Sequence, residues 1–199
     1  IARRQRQMCI RDSLITGLCL MDRHAPDYLV NQGQGGVSGT EQSLRDTEAL
    51  IQRWHGVDRL GYAITPRFAP TSTEAQLRGA GELAKQYGDV WIQSHVAENK
   101  DEITWARELF PQSRSYLATY DDFGLMRDRA IYAHCIHFDD DDRALMRDTG
   151  AAAAVSPTSN LFLGSGFFDY EGADRVGYQY GLASDCLLYT SDAADERSS

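Results

Sequence analysis

The sequence predicts an α/β fold in which a parallel sheet forms part of a (β/α)₈ TIM-like barrel with about six of its eight strands. Short apolar runs alternate with segments of helical periodicity, and glycines follow several of the helical segments. Strands that alternate with helices are typical of βαβ units and parallel sheets. A complete barrel needs about 250 residues, so a chain of 199 residues accommodates only part of one.

The first half of the chain is predicted to contain three strands and two helices. The strands are expected at residues 14–21, 60–68 and 90–96. The first helix covers residues 41–55 and ends at Gly56. The second follows Thr73 and Gln76, whose spacing is that of a capping box, and ends before Gly88.

The second half continues the alternation. Helices are expected after Asn99, at residues 116–125 and at 141–149, and strands at 130–138, 151–155 and 180–184. A doubly wound open sheet is the structural alternative. The first strand is not followed by a glycine-rich dinucleotide-binding turn, which argues against a Rossmann site.

The two ends of the chain differ from its middle. Residues 1–13 are basic and aperiodic, and residues 186–199 have neither strand nor helix periodicity. Both segments resemble translated sequencing adapters, and natural disordered tails are the alternative. We therefore interpret residues 1–13 and 186–199 as a non-native leader and tail, with the barrel segment at 14–185.

Composition narrows the classes of function. The net charge is −9, which argues against nucleic acid as a partner, and no apolar run approaches the roughly 20 residues of a membrane span. The four cysteines form no CxxC pair, which argues against a zinc ribbon and a disulfide scaffold. These features favour a protein of the reducing cytoplasm that has no membrane partner.

Candidate functional residues follow from the position of barrel active sites at the carboxyl ends of strands. The residues at or just beyond these predicted ends are Arg67, Phe68, His95, Glu98, His134 and Asp185.

Three of these side chains suit a metal ion. His95, His134 and Asp185 form a plausible ligand set for Zn²⁺, with Fe²⁺ as the alternative. Such a metal lowers the pKa of a bound water to about 7, and Glu98 is then the expected proton shuttle. His137 is interpreted as lying on the same strand face as His134, which makes it a rival ligand.

Each residue taken singly also has a purely structural interpretation. A lone strand histidine is more often a hydrogen-bonded polar group than a metal ligand. Glu98 and Asp185 could each cap a helix.

Five segments carry a resemblance to a known family. YAITPRFAPTST, WIQSHVAENKDEI, IYAHCIHF, AVSPTSNLFLGSG and YGLASD resemble, in order and spacing, the guanine deaminases of the amidohydrolase superfamily. The resemblance runs from about residue 14 to 185. ITPRFAPTS and PTSNLFLGSG are its most specific parts, because other members of the superfamily share the metal residues but not these segments.

The resemblance implies a distorted (β/α)₈ barrel beside a small β-sandwich, one catalytic Zn²⁺, a homodimer, and hydrolysis of guanine to xanthine and ammonia. His95, His134 and Asp185 match the metal ligands, and His95 and Asp185 also contact substrate. Asp185 and Glu98 match the catalytic carboxylates that move protons. Arg67 and Phe68 match the pair that recognises guanine, whereas His137 has no counterpart.

The sequence departs from the family in two respects. No HxH motif occurs before Leu14, although the family's first strand supplies two further ligands there, and we expect no β-sandwich within these residues. We therefore expect this 199-residue chain itself to be inactive. The alternatives are a related deaminase or chlorohydrolase that acts on another purine, a pterin, cytosine or a triazine, or a catalytically inactive barrel scaffold.

Overall fold

The structure is a computed structural model that describes residues 13–185. The predictions for residues 1–12 and 186–199 lie outside the described residues. The strands are β1 (Leu14–Thr16), β2 (Cys19–Leu20), β3 (Leu60–Pro66), β4 (Trp91–Val96), β5 (Ala130–His134), β6 (Ala152–Val155) and β7 (Gln179–Leu182). The helices are α1 (Gly39–Trp54), α2 (Glu74–Gln86), α3 (Lys100–Leu109), α4 (Tyr116–Asp122), α5 (Asp140–Thr149), α6 (Pro157–Phe162) and α7 (Tyr170–Val176), with a 3₁₀ turn at Ala69–Thr71.

The strands follow the order β1-β3-β4-β5-β6-β7, and β2 also pairs with β3. The pairs β1–β3, β2–β3, β3–β4, β5–β6 and β6–β7 are all parallel. Helices lie between most successive strands in the chain, so the predicted βαβ alternation is confirmed.

The chain divides into two compact units. The first contains the described residues up to Arg67 together with residues 71–93, and the second contains residues 68–70 together with those from Ser94 onward. Strand β4 supplies residues to both units.

In the first unit, the predicted continuous strand at residues 14–21 is interrupted. Its two parts, β1 and β2, both pair with β3, and Gly17 lies between them. A Cβ atom on Gly17 would lie 1.8 Å from the carbonyl oxygen of Ala63, so the backbones approach too closely for any side chain. The Leu18 amide instead donates to the Tyr62 hydroxyl at 3.0 Å, which leaves the strand pairing locally broken.

Helix α2 begins at the predicted cap, but the capping box is only half formed. The Thr73 hydroxyl accepts a hydrogen bond from the Gln76 amide at 3.2 Å. The Gln76 side chain does not accept a hydrogen bond from the Thr73 amide, which would complete the box. It is fully buried and donates to Asn31 Oδ1 and Ser43 Oγ, both at 3.2 Å, so it joins α2 to the loop after β2 and to α1.

In the second unit, large aromatic side chains fill the core beneath the sheet. Tyr120, Tyr132 and Phe110 are all buried, and the rings of Tyr120 and Tyr132 lie 5.0 Å apart. The contact between the rings of Tyr120 and Tyr132 joins α4 to β5.

Two helices of the second unit were not predicted. Helix α6 has six residues and begins with Pro157, and α7 has seven residues and begins after Asp169. Elements this short span fewer than two full turns, so they show little of the periodicity by which a helix is identified in sequence; α4 is equally short, and the sequence predicted it as part of a longer helix at 116–125.

Among residues 13–185, no helix has the combination of length and apolar character that a membrane span requires.

Candidate active site

Two histidines approach each other at the carboxyl ends of β4 and β5. His95 is the penultimate residue of β4, and His134 is the last residue of β5. Their ring centroids lie 5.5 Å apart and the ring planes are inclined by 30°. This arrangement follows from the sequence because neighbouring parallel strands end at the same edge of the sheet.

Glu98 directs its carboxylate toward this pair. Its Oε2 lies 3.7 Å from His134 Nε2, and its Oε1 accepts a hydrogen bond from Ser165 Oγ at 3.4 Å. Asn99, not Glu98, caps α3, because Asn99 Oδ1 accepts from the Glu102 amide at 2.9 Å. The capping interpretation of Glu98 is therefore wrong.

His134 is oriented by an asparagine that the sequence analysis did not identify. His134 is almost fully buried, and its Nδ1 lies 2.8 Å from Oδ1 of Asn160 in helix α6. An amide oxygen only accepts hydrogen bonds, so Nδ1 carries a proton, and in the neutral ring Nε2 then presents a lone pair on the side of Glu98. The sequence signals for Asn160 were its place shortly after β6 and its position within the segment PTSNLFLGSG.

Asp185 lies at the edge of the described region, three residues beyond the end of β7. Its side chain is exposed, and Oδ2 accepts a hydrogen bond from Ser159 Oγ at 2.7 Å. Within residues 13–185, no three His, Cys, Asp or Glu side chains gather closely enough to hold a metal ion. The ligand set of His95, His134 and Asp185 stays a prediction.

The chemistry of the two imidazoles nevertheless fits a metal that takes nitrogen ligands. The Nε2 lone pair of His134 is fixed by the hydrogen bond from Nδ1 to Asn160, and the His95 ring lies beside it. Such outer hydrogen bonds fix the orientation and tautomer of histidine ligands.

The backbone is strained where this site is built. Ala97, His134, Cys135 and Asp185 have positive φ angles of 50°, 72°, 51° and 52°. Non-glycine residues adopt this conformation at an energetic cost, and such residues tend to cluster at functional sites. At His134 this conformation ends β5 and turns the chain toward His137.

Cys135 is an inert neighbour of the site. The thiol is buried and donates to the Tyr132 carbonyl oxygen at 3.3 Å. Burial raises the pKa of the Cys135 thiol well above its ordinary value, so the thiol stays protonated. A protonated thiol is neither a nucleophile nor a metal ligand.

Tyr120 holds the backbone of His95 through a hydrogen bond. The Tyr120 hydroxyl donates to the His95 carbonyl oxygen at 2.8 Å. The same hydroxyl accepts from Ser94 Oγ and from the Ala69 amide, both at 2.9 Å. A single buried phenol therefore ties the end of β4 to the 3₁₀ turn.

The two residues expected to recognise substrate fall in different units. Phe68 forms a parallel bridge with His95, and its ring meets the edge of Trp105 at 5.9 Å. Arg67 is exposed in the first unit, where its amide donates to the Leu20 carbonyl oxygen at 3.1 Å. The predicted strand at residues 60–68 ends at Pro66, so both residues follow β3 and do not form part of it.

The interpretation of His137 as a second position on the same strand face is wrong. Strand β5 ends at His134, three residues earlier, and His137 lies beyond the strained turn. Its Nε2 lies 3.0 Å from the Ser165 carbonyl oxygen, so the ring contacts the loop after α6.

An open pocket of about 730 Å³ adjoins Glu98 and is large enough for a small-molecule substrate. It is lined by Glu98, Asn99, Lys100, Asp101, His137, Leu163, Gly164 and Ser165.

Known proteins resemble this chain in both sequence and structure. Residues 10–194 match the amidohydrolase family. The guanine deaminase of Escherichia coli is 41% identical over 172 residues, which cover 86% of this chain and 38% of that enzyme. The structure of the E. coli enzyme has a TM-score of 0.84 and 39% identity, and the match covers 92% of this chain and 41% of that one.

Two further structures are similar. A guanine deaminase from C. acetobutylicum, determined with bound guanine, has a TM-score of 0.82 and 31% identity over 92% of this chain and 42% of that one. An adenosine deaminase from Xanthomonas campestris with bound zinc has a TM-score of 0.73 at 21% identity over 94% of this chain and 39% of that one, which indicates a shared fold alone.

These similarities confirm that the fold is part of a (β/α)₈ barrel of the amidohydrolase type. The chain spans about two fifths of the length of the E. coli enzyme. Because the family match extends over almost the whole sequence, the chain belongs to the amidohydrolase family.

Proposed function

We propose that this chain forms part of the catalytic barrel of a guanine deaminase, which hydrolyses guanine to xanthine and ammonia. One observation carries the proposal: His95, His134 and Glu98 meet at the carboxyl ends of β4 and β5 in a chain that is 41% identical to a guanine deaminase. Barrel enzymes place their reacting groups at this end of the strands.

We further propose that His95, His134 and Asp185 hold a Zn²⁺ ion, with Fe²⁺ as the alternative. The fixed lone pair of His134 and the neighbouring His95 ring support the two imidazole ligands. Asp185 rests on the resemblance of YGLASD to the family. A bound zinc ion supplies a Lewis acid that makes water nucleophilic near neutral pH.

Glu98 is the proposed proton carrier. In the overall reaction, water adds at the ring carbon that bears the amino group, and the carbon–nitrogen bond then breaks to release ammonia. The ring nitrogen gains a proton as the water adds, and the departing amino group must gain another. Glu98 can carry both in turn, since its carboxylate faces the open pocket and contacts His134.

Arg67 and Phe68 are proposed to recognise guanine. A guanidinium offers fixed hydrogen-bond donors that suit the purine carbonyl oxygen, and an adenine in the same place would leave these donors unpaired. Phe68 can offer an aromatic or backbone contact. A cytoplasmic homodimer also stays a prediction.

The test uses a chimera in which residues 14–185 replace the matching segment of the E. coli guanine deaminase. Purified with zinc, it is assayed for ammonia release from guanine, adenine, cytosine and a triazine. We expect release from guanine, with xanthine as the second product. Preferential release from another substrate, or from none, contradicts the proposal.

Two variants of the chimera test the role of Glu98. Glu98→Gln should lower kcat by about 10²- to 10⁴-fold, the usual contribution of a general acid or base. The matched control is Glu108→Gln, since Glu108 is an exposed residue of α3. Equal kcat values in these two variants would exclude Glu98 as the proton carrier.

The 199-residue chain alone is proposed to be inactive, because it carries no HxH motif to supply the two further ligands. Ammonia release from guanine by this chain with added zinc is the direct measurement. Turnover at about 1 to 10³ s⁻¹, typical of enzymes, would refute this part of the proposal.

A further inference from the structure

His137 has no role in the chemistry proposed above, yet it makes a specific contact with the loop between α6 and α7. Its Nε2 lies 3.0 Å from the Ser165 carbonyl oxygen. A carbonyl oxygen can only accept, so His137 carries a proton on Nε2 and donates it to this oxygen. The ring thereby holds the backbone of Ser165.

The side chain of the same serine reaches the proposed proton carrier. Ser165 Oγ donates to Glu98 Oε1 at 3.4 Å, while Glu98 Oε2 lies 3.7 Å from His134 Nε2. The Glu98 carboxylate therefore accepts a hydrogen bond from the serine hydroxyl and lies beside a histidine of the site. Glu98 precedes helix α3, so regular secondary structure does not hold its side chain.

The loop that carries Ser165 has little support from the hydrophobic core. Leu163 is 62% exposed and Phe167 is 80% exposed, so the apolar residues on either side of Ser165 face solvent. The Ser165 amide also donates to the Asn160 carbonyl oxygen at 2.8 Å, which fixes the start of the loop to α6.

Gly166 lets the loop lie directly against the turn that carries His137. It has a φ angle of 129°, which only glycine adopts readily. A Cβ atom there would lie 3.1 Å from Ile136 Cγ2 and 3.7 Å from His137 Cε1. A Cβ atom would thus be in tight contact with Ile136 and in ordinary van der Waals contact with the His137 ring, so the two segments pack closely.

We propose that His137 is a positioning residue for the deamination: it holds Ser165, and through Ser165 it holds the Glu98 carboxylate beside His134. The inference rests on the proposed function, because it assigns to Glu98 the proton transfers of that reaction. Misplacing a reacting group by about 1 Å can slow a reaction about 10²-fold. Since the Ser165 hydroxyl contacts Glu98 at a long distance of 3.4 Å, we expect a smaller loss, of about tenfold.

The kinetic test uses the chimera described above and three substitutions. His137→Phe keeps a ring but removes the donor, His137→Gln keeps an N–H donor, and Ser165→Ala removes the hydroxyl. We expect His137→Phe and Ser165→Ala each to lower kcat for guanine about tenfold, with KM changed less than about twofold. His137→Gln should recover most of the loss.

The double variant His137→Phe/Ser165→Ala distinguishes positioning from general damage. Both substitutions interrupt the same connection, so the double variant should be about as slow as either single variant. Thr104→Ala is the control, because it removes an exposed hydroxyl that donates to the Lys100 carbonyl oxygen of its own helix. A double variant about 100-fold slower, an unchanged kcat in either single variant, or no recovery with His137→Gln would overturn the proposal.

A second measurement does not depend on activity. Hydrogen exchange of peptides that cover residues 161–168 is followed in the 199-residue chain without substrate. His137→Phe should speed exchange in these peptides, and His137→Gln should restore the slower rate. Unchanged exchange with an active chimera refutes the role of His137 and leaves the proposed function standing. An inactive parent chimera refutes the proposed function, and the exchange rates still decide whether His137 anchors the loop.

Discussion

Asn160 offers the sharpest test of how the site is organised, because its side chain has one satisfied and one unsatisfied end. Oδ1 lies 2.8 Å from His134 Nδ1, whereas Nδ2 is buried without a hydrogen-bond partner among the described residues. Asn160→Leu keeps the same branched arrangement of side-chain atoms and removes both polar atoms. The substitution therefore has opposite effects on two buried groups.

These effects can be estimated from their hydrogen bonds. Leaving the His134 Nδ1–H group unpaired costs about 1–3 kcal/mol, and removing the unpaired Asn160 Nδ2 group returns a similar amount. The free energy of unfolding should therefore change by less than about 1 kcal/mol. Zinc affinity, in contrast, should fall about 10- to 100-fold, because His134 loses the acceptor that fixes its tautomer and ring orientation. That fall corresponds to about 1.4–2.7 kcal/mol of binding free energy.

Both quantities can be measured on the 199-residue chain. Zinc affinity is obtained by competition with a fluorescent chelator, and stability is obtained from urea unfolding without metal. Asn160→Asp is the matched control, since a carboxylate accepts the same hydrogen bond and should preserve the affinity. Equal zinc affinity in the parent and Asn160→Leu would refute the orienting role. No zinc binding by the parent would contradict the proposed pair of imidazole ligands.

Three further predictions concern stability, each measured by urea unfolding. Tyr120→Phe removes hydrogen bonds to the Ala69 amide, Ser94 Oγ and the His95 carbonyl oxygen, and should cost about 2–4 kcal/mol. The exposed Tyr28→Phe is its control, and a loss below about 1 kcal/mol would contradict the estimate. Gly17→Ala should lower the free energy of unfolding by about 1–3 kcal/mol or more, because the added methyl group overlaps the Ala63 carbonyl oxygen. Gly88→Ala, where the added methyl group meets open space, is the control and should not destabilise the chain. Burial raises the pKa of Glu102 above its usual 4.5, although a hydrogen bond from Tyr116 opposes the shift and the Glu98 charge adds to it. The folded chain thus binds this proton more tightly than the unfolded chain, so the stability from Glu102 is greatest below pH 4.5 and falls as pH rises through the folded pKa. Glu102→Gln should remove this fall in stability. If the parent chain and Glu102→Gln show the same pH dependence of stability between pH 4.5 and 8, burial does not shift the pKa of this carboxyl.

The longer elements could be predicted because their signals are local. Strand β3 is a continuous apolar run, and α2 begins at Thr73, where a capping residue precedes a helical pattern. The rule that barrel sites lie at strand ends was sufficient to single out His95, Glu98 and His134. The short helices α6 and α7 carry too few residues to show a period, and the break at Gly17 depends on a distant carbonyl oxygen.

The sequence by itself determined the parallel α/β architecture, the family, and the residues at which the proposed chemistry is centred. Only the tertiary structure decided what surrounds these residues: Asn160 is hydrogen-bonded to His134, Ser165 to Glu98, and His137 to Ser165. The physical reason is one of range. Side-chain periodicity and helix capping act between residues a few positions apart, whereas these hydrogen bonds join segments 26 to 67 residues apart that meet only when the chain packs.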